Sequence, residues 1–180
     1  MSEKVVLVDE FDNDIGIMEK MEAHQKGLLH RAISVFTFNS YGQMLIQRRS
    51  LEKYHSPGKW RNTACTHPRL NESPIKAAKR RLKEEMGMTT EINFSFEFTY
   101  KADLDQKLIE YELDHFFMGF SNNTPEYNIK EVCDFKYISK EDLENDLKEN
   151  PNSYSAWFEL CYKKAFKSVN KLENQKLDVH

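Results

Sequence analysis

The chain has 180 residues and a net charge of −3. This length favours one domain, with a core over residues 5–169 and a polar tail over residues 170–180. A slightly acidic chain has no general basic field, so we expect neither nucleic acid nor an acidic membrane surface as its partner.

The cysteines favour a reducing compartment. Cys65, Cys133 and Cys161 form neither an even set nor a Cys-x-x-Cys pair, which argues against a disulfide framework. No apolar stretch of the sequence is long enough for a signal peptide or a membrane span. The sequence therefore predicts a cytoplasmic protein.

Strands and turns alternate in the first third of the chain. Residues 5–8 form an apolar run that predicts a strand, followed by a polar turn that includes Gly16. Residues 18–29 are helical or irregular in character. Residues 30–39 and 43–49 are rich in β-branched and aromatic side chains around a turn signal, which predicts a hairpin. Residues 50–62 have the composition of a loop.

A helix with well-marked ends follows. Ser73 is a candidate N-cap, Pro74 suits the first helical position, and Gly87 can end the helix in a left-handed conformation. The helical period turns the apolar side chains to the core and Glu84 to solvent, and it places Glu85 at the border, where it can line a cleft. The same spacing is also typical of an ordinary surface helix.

The second half of the chain repeats the pairing of strands. Residues 91–102 alternate with period 2, residues 103–107 form a polar turn, and residues 108–120 predict the returning strand. A short strand at residues 133–138 precedes a helix capped by Ser139 and a final helix from Ser155, whose polar end begins at Lys171. Hairpins on both sides of a helix predict an α+β fold, an α/β/α sandwich.

Two groups of side chains could bind a divalent cation. His24, His30 and His67 could meet from two loops, and imidazole is a common metal ligand. Glu110 and Glu112 lie two residues apart, hence on one face of a strand, and could ligate the same cation. The alternative is a pair of solvated glutamates on an edge strand.

These pieces together resemble the type 1 isopentenyl-diphosphate isomerases, members of the Nudix superfamily. The resemblance covers residues 5–157 and rests on the order and spacing of MEK (18–20), His24, His30, FNSYGQMLIQRR, SPGKW, RNTACTHP, ESPIKAAKRRLKEEMG, Tyr100, Glu110, Glu112 and SAW (155–157). It implies the Nudix fold, in which a mixed sheet lies between helices.

The chain departs from the Nudix hydrolase motif at two positions. Thr66 stands where hydrolases have the first glycine, and Arg81 stands where they have a glutamate that helps hold metal. A basic side chain there suits the binding of an intact diphosphate. The departure argues against hydrolysis.

The resemblance implies isomerisation of isopentenyl diphosphate to dimethylallyl diphosphate by a 1,3-allylic proton transfer. Cys65 and Glu112 would be the acid–base pair, Tyr100 would hydrogen-bond the acidic carboxylate, and Trp157 would face the cationic carbon. Two bland alternatives remain: Trp157 as a core aromatic residue, and Cys65 as a buried small apolar residue.

The resemblance also implies cofactors and contacts. His24, His30, His67, Glu110 and Glu112 would bind Mn²⁺, Zn²⁺ or Mg²⁺, and Glu85 would bind a Mg²⁺ shared with the diphosphate. The phosphate oxygens would contact Lys20, Arg49, Lys53 and Arg81. No flavin is expected, since no G-x-G-x-x-G motif is present. The expected partner is the small-molecule substrate alone, and the expected state a monomer or weak homodimer.

Two other functions are compatible with such a fold. One is a Nudix hydrolase of a nucleoside diphosphate compound, against which Arg81 argues. The other is a silent module that keeps a structural metal, and the chemically competent residues at every matched position argue against it. Outside the site, we interpret His115, Cys133 and Cys161 as structural and His55 as loop surface.

Overall fold

The computed structural model describes residues 3–53, 55–104 and 107–177, and within these ranges the chain forms nine strands and four α-helices. The strands are β1 (Lys4–Val8), β2 (Asp14–Glu19), β3 (His30–Phe38), β4 (Met44–Arg49), β5 (Trp60–Arg61), β6 (Ala64–Thr66), β7 (Ile92–Asp103), β8 (Ile109–Phe120) and β9 (Val132–Ile138). The helices are α1 (Lys20–Lys26), α2 (Pro74–Met86), α3 (Lys140–Glu149) and α4 (Ala156–Leu177).

Strand β3 is the centre of a mixed sheet. It runs parallel to β8, from the pair His30–Glu112 to the pair Phe38–Phe120, and antiparallel to β1, β4 and β6. Both predicted hairpins are present, β3–β4 and β7–β8, and β9 pairs with the far side of β4. The register of β3 and β8 places His30, the first residue of β3, beside Glu112, the fourth residue of β8, and the site forms there.

The sheet has an apolar core on each face. Along β3, Ile33 and Val35 pack with residues of α2, whereas Phe36 and Phe38 pack with residues of α3 and α4. This division follows the period of a strand, in which successive side chains point to opposite faces. The α+β fold with helices on both faces is therefore confirmed.

Helix α2 begins and ends where the sequence predicts. Ser73 is extended at the N-cap, although its side chain makes no capping hydrogen bond, and Pro74 is the first helical residue. Gly87 is left-handed, with φ of 64°, and its N–H donates to the Lys83 carbonyl. A Cβ at Gly87 would collide with the Glu126 carbonyl oxygen, so the close approach of the next loop also requires glycine.

Three segments differ from their predictions. Residues 14–19 form strand β2 rather than a turn around Gly16, because they pair with β1 and thereby satisfy their backbone groups. Helix α1 is correspondingly short. Helix α4 continues to Leu177, beyond the polar end predicted at Lys171. Two residues of the predicted 103–107 turn, 105 and 106, lie outside the described ranges.

Within the described ranges, no helix combines the length and the apolar character that a membrane crossing requires.

Candidate active site

A cavity of about 210 Å³ opens beside the parallel pair β3–β8 and collects nearly all of the predicted site residues. Two of them, His30 and Glu85, contact lining residues from behind. Among the lining residues are Lys20, His24, Arg49, Lys53, Cys65, His67, Arg81, Tyr100, Glu110, Glu112 and Trp157. Residues that the sequence suggested from separate segments of the chain thus meet around one space.

Four side chains form a cluster that could hold a metal ion. One ligand atom from each of His24, His30, His67 and Glu112 lies within 4.8 Å of the others. The parallel register sets His30 directly beside Glu112, helix α1 adds His24, and the residue after β6 adds His67. All four residues are buried.

The chemistry of this cluster fits a divalent cation. The His30 Nδ1 lies 2.8 Å from the Leu28 carbonyl oxygen, which turns Nε2 towards the other ligands. In the described part of the chain, both ring nitrogens of His24, Nε2 of His30 and Nδ1 of His67 are buried without a hydrogen-bond partner. Burial lowers the pKa of His24 to about 3, so its ring is neutral, the form that binds metal.

Glu112 makes two contacts inside the cluster and a third with Tyr100 beside it. Its Oε1 lies 3.0 Å from His67 Nε2 and 3.5 Å from His30 Nε2, and its Oε2 accepts from the Tyr100 hydroxyl at 2.6 Å. Burial alone would raise the pKa of Glu112, but the close contacts with His30 and His67 outweigh it and hold the pKa well below its usual value. The carboxylate is therefore fixed in place as an anion.

Glu110 is buried on the same strand face as Glu112, although the four-residue cluster does not include it. Its Oε2 is a buried atom without a hydrogen-bond partner among the described residues. Burial, and then the neighbouring Glu112 charge, raise the pKa of Glu110 to about 8. A carboxyl group of this kind would ionise readily only beside a cation.

Cys65 is half-buried at the cavity wall on β6. Its Sγ lies 3.0 Å from Asn62 Oδ1 and 3.6 Å from Ser34 Oγ, and Ser34 in turn donates to Asp114 Oδ2 at 2.6 Å. Burial raises the pKa of the Cys65 thiol to about 11 even though the charge of Arg61 opposes the shift. Cys65 therefore carries a proton at neutral pH.

Trp157 lines the cavity from the first turn of α4. The Ser155 N–H donates to the Trp60 carbonyl at 3.0 Å and so seats this turn on β5. The indole Nε1 of Trp157 donates to Asn62 Oδ1 at 3.4 Å, and the Arg49 guanidinium carbon lies 5.8 Å from the centre of the ring. Trp157 thus packs in the core around α4 and also lines the cavity.

Two of the cationic side chains, Lys53 and Arg81, are held by carboxylates. Lys53 Nζ lies 2.6 Å from Glu131 Oε2, and Arg81 contacts the same oxygen. Burial by itself lowers the pKa of Arg81, but the charges of Glu85 and Glu131 outweigh it and raise that pKa. Arg49 is 4% exposed, and burial followed by repulsion from Arg61 lowers its pKa to about 10.

Glu85 lies deeper than the helical angle suggests. It is fully buried, both of its oxygens accept from Arg61 NH2 at 2.7 Å, and its Oε1 lies 2.5 Å from Arg81 Nε. Gln47 contacts it as well. Its carboxylate thus fixes Arg61 and Arg81 at the cavity wall, and a metal role for Glu85 stays a prediction.

Several lining residues have no sequence signal of their own. Ser34, Arg61 and Glu131 line the cavity and contact predicted residues, but nothing in their local spacing marks them. Behind the lining, Asn62 binds Cys65 and Trp157, and Asp114 binds Ser34. His55, interpreted from the sequence as loop surface, is only 8% exposed and lines the cavity, so that interpretation is wrong. His115 Nε2 lies 2.9 Å from Asp12 Oδ2, and Cys161 is buried, whereas Cys133 is exposed.

The chain is similar to proteins of one family. Residues 28–159 match the family model described as NUDIX domain. The Isopentenyl-diphosphate Delta-isomerase of Pectobacterium atrosepticum is 46% identical over 171 residues, which cover 92% of this chain and 96% of that protein. Isopentenyl-diphosphate Delta-isomerase 2 of Aromatoleum aromaticum is 46% identical over 161 residues, 89% of this chain and 85% of that protein.

Solved structures share the architecture at lower identity. The crystal structure of DR0079 from Deinococcus radiodurans superposes with a TM-score of 0.74 at 19% identity, covering 89% of this chain and 98% of that one. At this identity, the likeness concerns the fold alone.

Proposed function

Because the chain belongs to the Nudix family and, within it, to the isopentenyl-diphosphate Delta-isomerases, we propose that its cavity converts isopentenyl diphosphate to dimethylallyl diphosphate with Cys65 and Glu112 as the acid–base pair. The observation that carries this assignment is that both side chains line one cavity while belonging to different strands, β6 and β8. The reaction needs an acid and a base on opposite sides of a short carbon chain.

The reaction moves one proton onto the substrate and another off it. The terminal alkene carbon accepts a proton, the positive charge develops at the tertiary carbon, and the neighbouring CH₂ then loses a proton to the opposite side of the site. The Cys65 thiol, which is protonated at neutral pH, is the proton-transfer group on one side of the substrate. The Glu112 carboxylate, which accepts a hydrogen bond from the Tyr100 hydroxyl at 2.6 Å, is the proton-transfer group on the other side. Because the reaction is reversible, the two sides exchange roles with its direction.

Trp157 would stabilise the positive charge. The π face of a desolvated indole is worth about 2 kcal/mol or more to a cation. The ring is only 4% exposed, so water is largely excluded from its surroundings. Its contact with Arg49 indicates that this part of the cavity accepts a cation beside the ring.

A divalent cation, Mn²⁺, Zn²⁺ or Mg²⁺, would be held by His24, His30, His67 and Glu112, with Glu110 beside them. When bound, it would stabilise the carboxylate form of its ligands and thereby set the acidity of the proton-transfer group. The unpartnered histidine nitrogens and the raised pKa of Glu110 support this assignment. Glu85 would bind a Mg²⁺ together with the diphosphate by giving up one of its contacts with Arg61 or Arg81.

Lys20, Arg49, Lys53 and Arg81 would bind the diphosphate. All four line the cavity. Lys53 and Arg81 both contact the Glu131 carboxylate, and phosphate oxygens, which are also negatively charged, can take its place. Arg81 stands where hydrolases of this family have a carboxylate, so the site holds the diphosphate instead of activating water against it. No residue of this set calls for a flavin.

The setting of the reaction follows from the composition. Cys65, Cys133 and Cys161 are free thiols, which supports a reducing, cytoplasmic location. The net charge of −3 gives no basis for a nucleic-acid or membrane partner. We propose a monomer or a weak homodimer.

Purified protein with isopentenyl diphosphate and Mg²⁺ tests the assignment when dimethylallyl diphosphate and released phosphate are measured in the same sample. Isomer without phosphate release is expected. Release of phosphate from isopentenyl diphosphate, or hydrolysis of a nucleoside diphosphate compound such as ADP-ribose, would establish the hydrolase instead. No reaction in metal-loaded protein would leave the silent module as the function.

Arg81→Glu restores the hydrolase residue and extends this test. The new carboxylate would face Glu85 and Glu131 and repel the diphosphate, so KM should rise by roughly tenfold or more. Glu84→Gln is the matched control, because Glu84 contacts Arg81 at 3.5 Å from outside the cavity. Equal KM values for Arg81→Glu and the wild type would contradict the phosphate-binding role.

A further inference from the structure

A single buried amide joins the Cys65 thiol to the Trp157 ring. Asn62, between β5 and β6, is fully buried. Its Oδ1 accepts from the thiol at 3.0 Å and from the indole Nε1 at 3.4 Å. The proton-transfer group and the aromatic ring, far apart in sequence, are thus hydrogen-bonded to the same oxygen atom.

The orientation of this amide is determined by its other end. Nδ2 of Asn62 donates to the carbonyl oxygens of Val35 at 3.1 Å and Ala64 at 2.9 Å. Both partners can only accept, so the nitrogen must face them and the oxygen must face Cys65 and Trp157. A carbonyl oxygen cannot donate, so the Cys65 S–H is the donor in its hydrogen bond with Asn62.

These four hydrogen bonds tie three parts of the fold together. Val35 belongs to β3, Ala64 and Cys65 to β6, and Trp157 to α4. A displacement of about 1 Å in a reacting group can cost on the order of 100-fold in rate. The sulfur and the ring must face one small carbon skeleton, so a shared anchor controls their separation directly.

We propose that Asn62 is a positioning residue, which holds the Cys65 S–H and the Trp157 ring in the relative position that the reaction requires. It acts through those two side chains and does not itself exchange a proton with the substrate. The inference rests on the proposed function for its effect on rate, but the hydrogen bonds themselves can be tested without turnover.

Comparison of Asn62→Ala with Thr63→Val distinguishes a loss of positioning at Cys65 and Trp157 from a general loss of folding stability. Thr63 is also fully buried; its hydroxyl accepts from the Thr37 N–H at 2.9 Å and donates to the Leu45 carbonyl at 2.8 Å. Both variants should lower the melting temperature, because each leaves buried polar groups unpaired. Only Asn62→Ala should lower kcat, by on the order of 100-fold, with KM within about threefold of the wild type. A kcat for Asn62→Ala within twofold of that for Thr63→Val would overturn the proposal.

The indole N–H signals provide a readout that is independent of turnover. The chain has two tryptophans, so a ¹⁵N-labelled sample gives two indole signals, and Trp157→Phe identifies which belongs to Trp157. Asn62→Ala should shift the Trp157 signal and leave that of Trp60 in place, whereas Thr63→Val should shift neither. An unmoved Trp157 signal in Asn62→Ala would refute the anchor even if the wild type isomerises isopentenyl diphosphate.

These two readouts keep the inference distinct from the proposed function. A wild type without isomerase activity would contradict the function, while the indole signals would still decide whether Asn62 anchors Trp157. If Asn62→Ala does not fold, Asn62→Ser replaces it, because the serine hydroxyl can still donate to one of the two carbonyls. The results expected for Asn62→Ser, and the results that would overturn the proposal, are those given above for Asn62→Ala.

Discussion

At the scale of single residues, the site combines groups whose protonation is set by burial. The Cys65 thiol retains its proton because its pKa is about 11, and Glu112 remains an anion because His30, His67 and Tyr100 surround it. The two sides of the cavity therefore differ in charge before any substrate binds. Such a difference is what an acid–base pair needs when one proton must be delivered and another removed.

Replacement of this thiol should affect turnover far more than folding. Cys65→Ala removes one sulfur from a half-buried position, so we expect a nearly unchanged melting temperature and metal content. Turnover should fall by on the order of 10²–10⁴-fold, the usual contribution of a general acid or base. Cys133→Ala is the matched control, since Cys133 is exposed. Retained activity in Cys65→Ala would refute its catalytic role.

The sequence could identify those site residues that stand at a characteristic spacing along the chain from another candidate residue. The Cys65–His67 spacing, the Glu110–Glu112 pair and the resemblance to a family all marked positions that the structure brings to one cavity. Asn62 and Glu131 could not be found in this way, because their significance lies in contacts across the fold with Trp157, Lys53 and Arg81.

At the scale of elements, the ends of the helices are set by local chemistry. Ser139 caps α3 by accepting from the Asp142 N–H, and Gly87 ends α2. The sequence predicted both ends correctly because capping depends on residues within one turn. Strand β2 was missed because residues 14–19 form a strand only through pairing with β1, which no local pattern reveals.

Gly87 and Gly42 provide a matched pair for the end of α2. Both have positive φ, 64° and 71°, but a Cβ would collide with Glu126 at Gly87 and meet nothing within 4 Å at Gly42. Gly42→Ala should cost about 1 kcal/mol of unfolding free energy from backbone strain alone. Gly87→Ala should cost distinctly more. Equal losses in denaturant unfolding would show that the contact with Glu126 is unimportant.

Asp146 connects α3 to the start of α4 and should give acid-dependent stability. Its carboxylate accepts from the Tyr154 hydroxyl at 2.5 Å, Lys136 Nζ at 2.9 Å and Asn150 Nδ2 at 2.7 Å. The hydrogen bond from Tyr154, followed by that from Lys136, lowers its pKa from 3.8 to about 2. Because the folded pKa is the lower one, the stabilisation is complete above about pH 4 and disappears as the pH falls through 2.

Thermal unfolding of Asp146→Asn between pH 5 and pH 2 measures this contribution. The variant should be less stable than the wild type by on the order of 1 kcal/mol at pH 5, and the difference should narrow towards pH 2. A difference that stays constant over this range would mean that the charge of Asp146 contributes nothing.

At the scale of the whole molecule, the sheet brings the ligands of the cluster together. His30 and Glu112 are neighbours only because β3 and β8 run parallel, and parallel neighbours are joined through long connections. The sequence predicted both strands and a mixed sheet by resemblance, but it did not contain the strand order. The cavity could therefore be anticipated from its residues and not from their geometry.

Removal of the metal should weaken both folding and activity. Without a cation, several buried histidine nitrogens find no hydrogen-bond partner among the residues that the structure describes. A chelator should therefore lower the melting temperature and abolish turnover, and Mn²⁺, Zn²⁺ or Mg²⁺ should restore both. His67→Asn should bind less metal, whereas His115→Asn, outside the cluster, should bind the wild-type amount. Unchanged metal content in His67→Asn would contradict the assignment of this ligand.

The measurement that tests the central claim most directly is proton NMR of the metal-loaded protein with isopentenyl diphosphate and Mg²⁺ in D₂O. An acid–base isomerase exchanges protons with solvent at the two reacting carbons, so the vinyl signals should decline while dimethylallyl signals grow with deuterium in the new methyl group and both phosphates stay attached. Dimethylallyl diphosphate without deuterium would contradict proton transfer through Cys65 and Glu112, and free phosphate would contradict the isomerase itself.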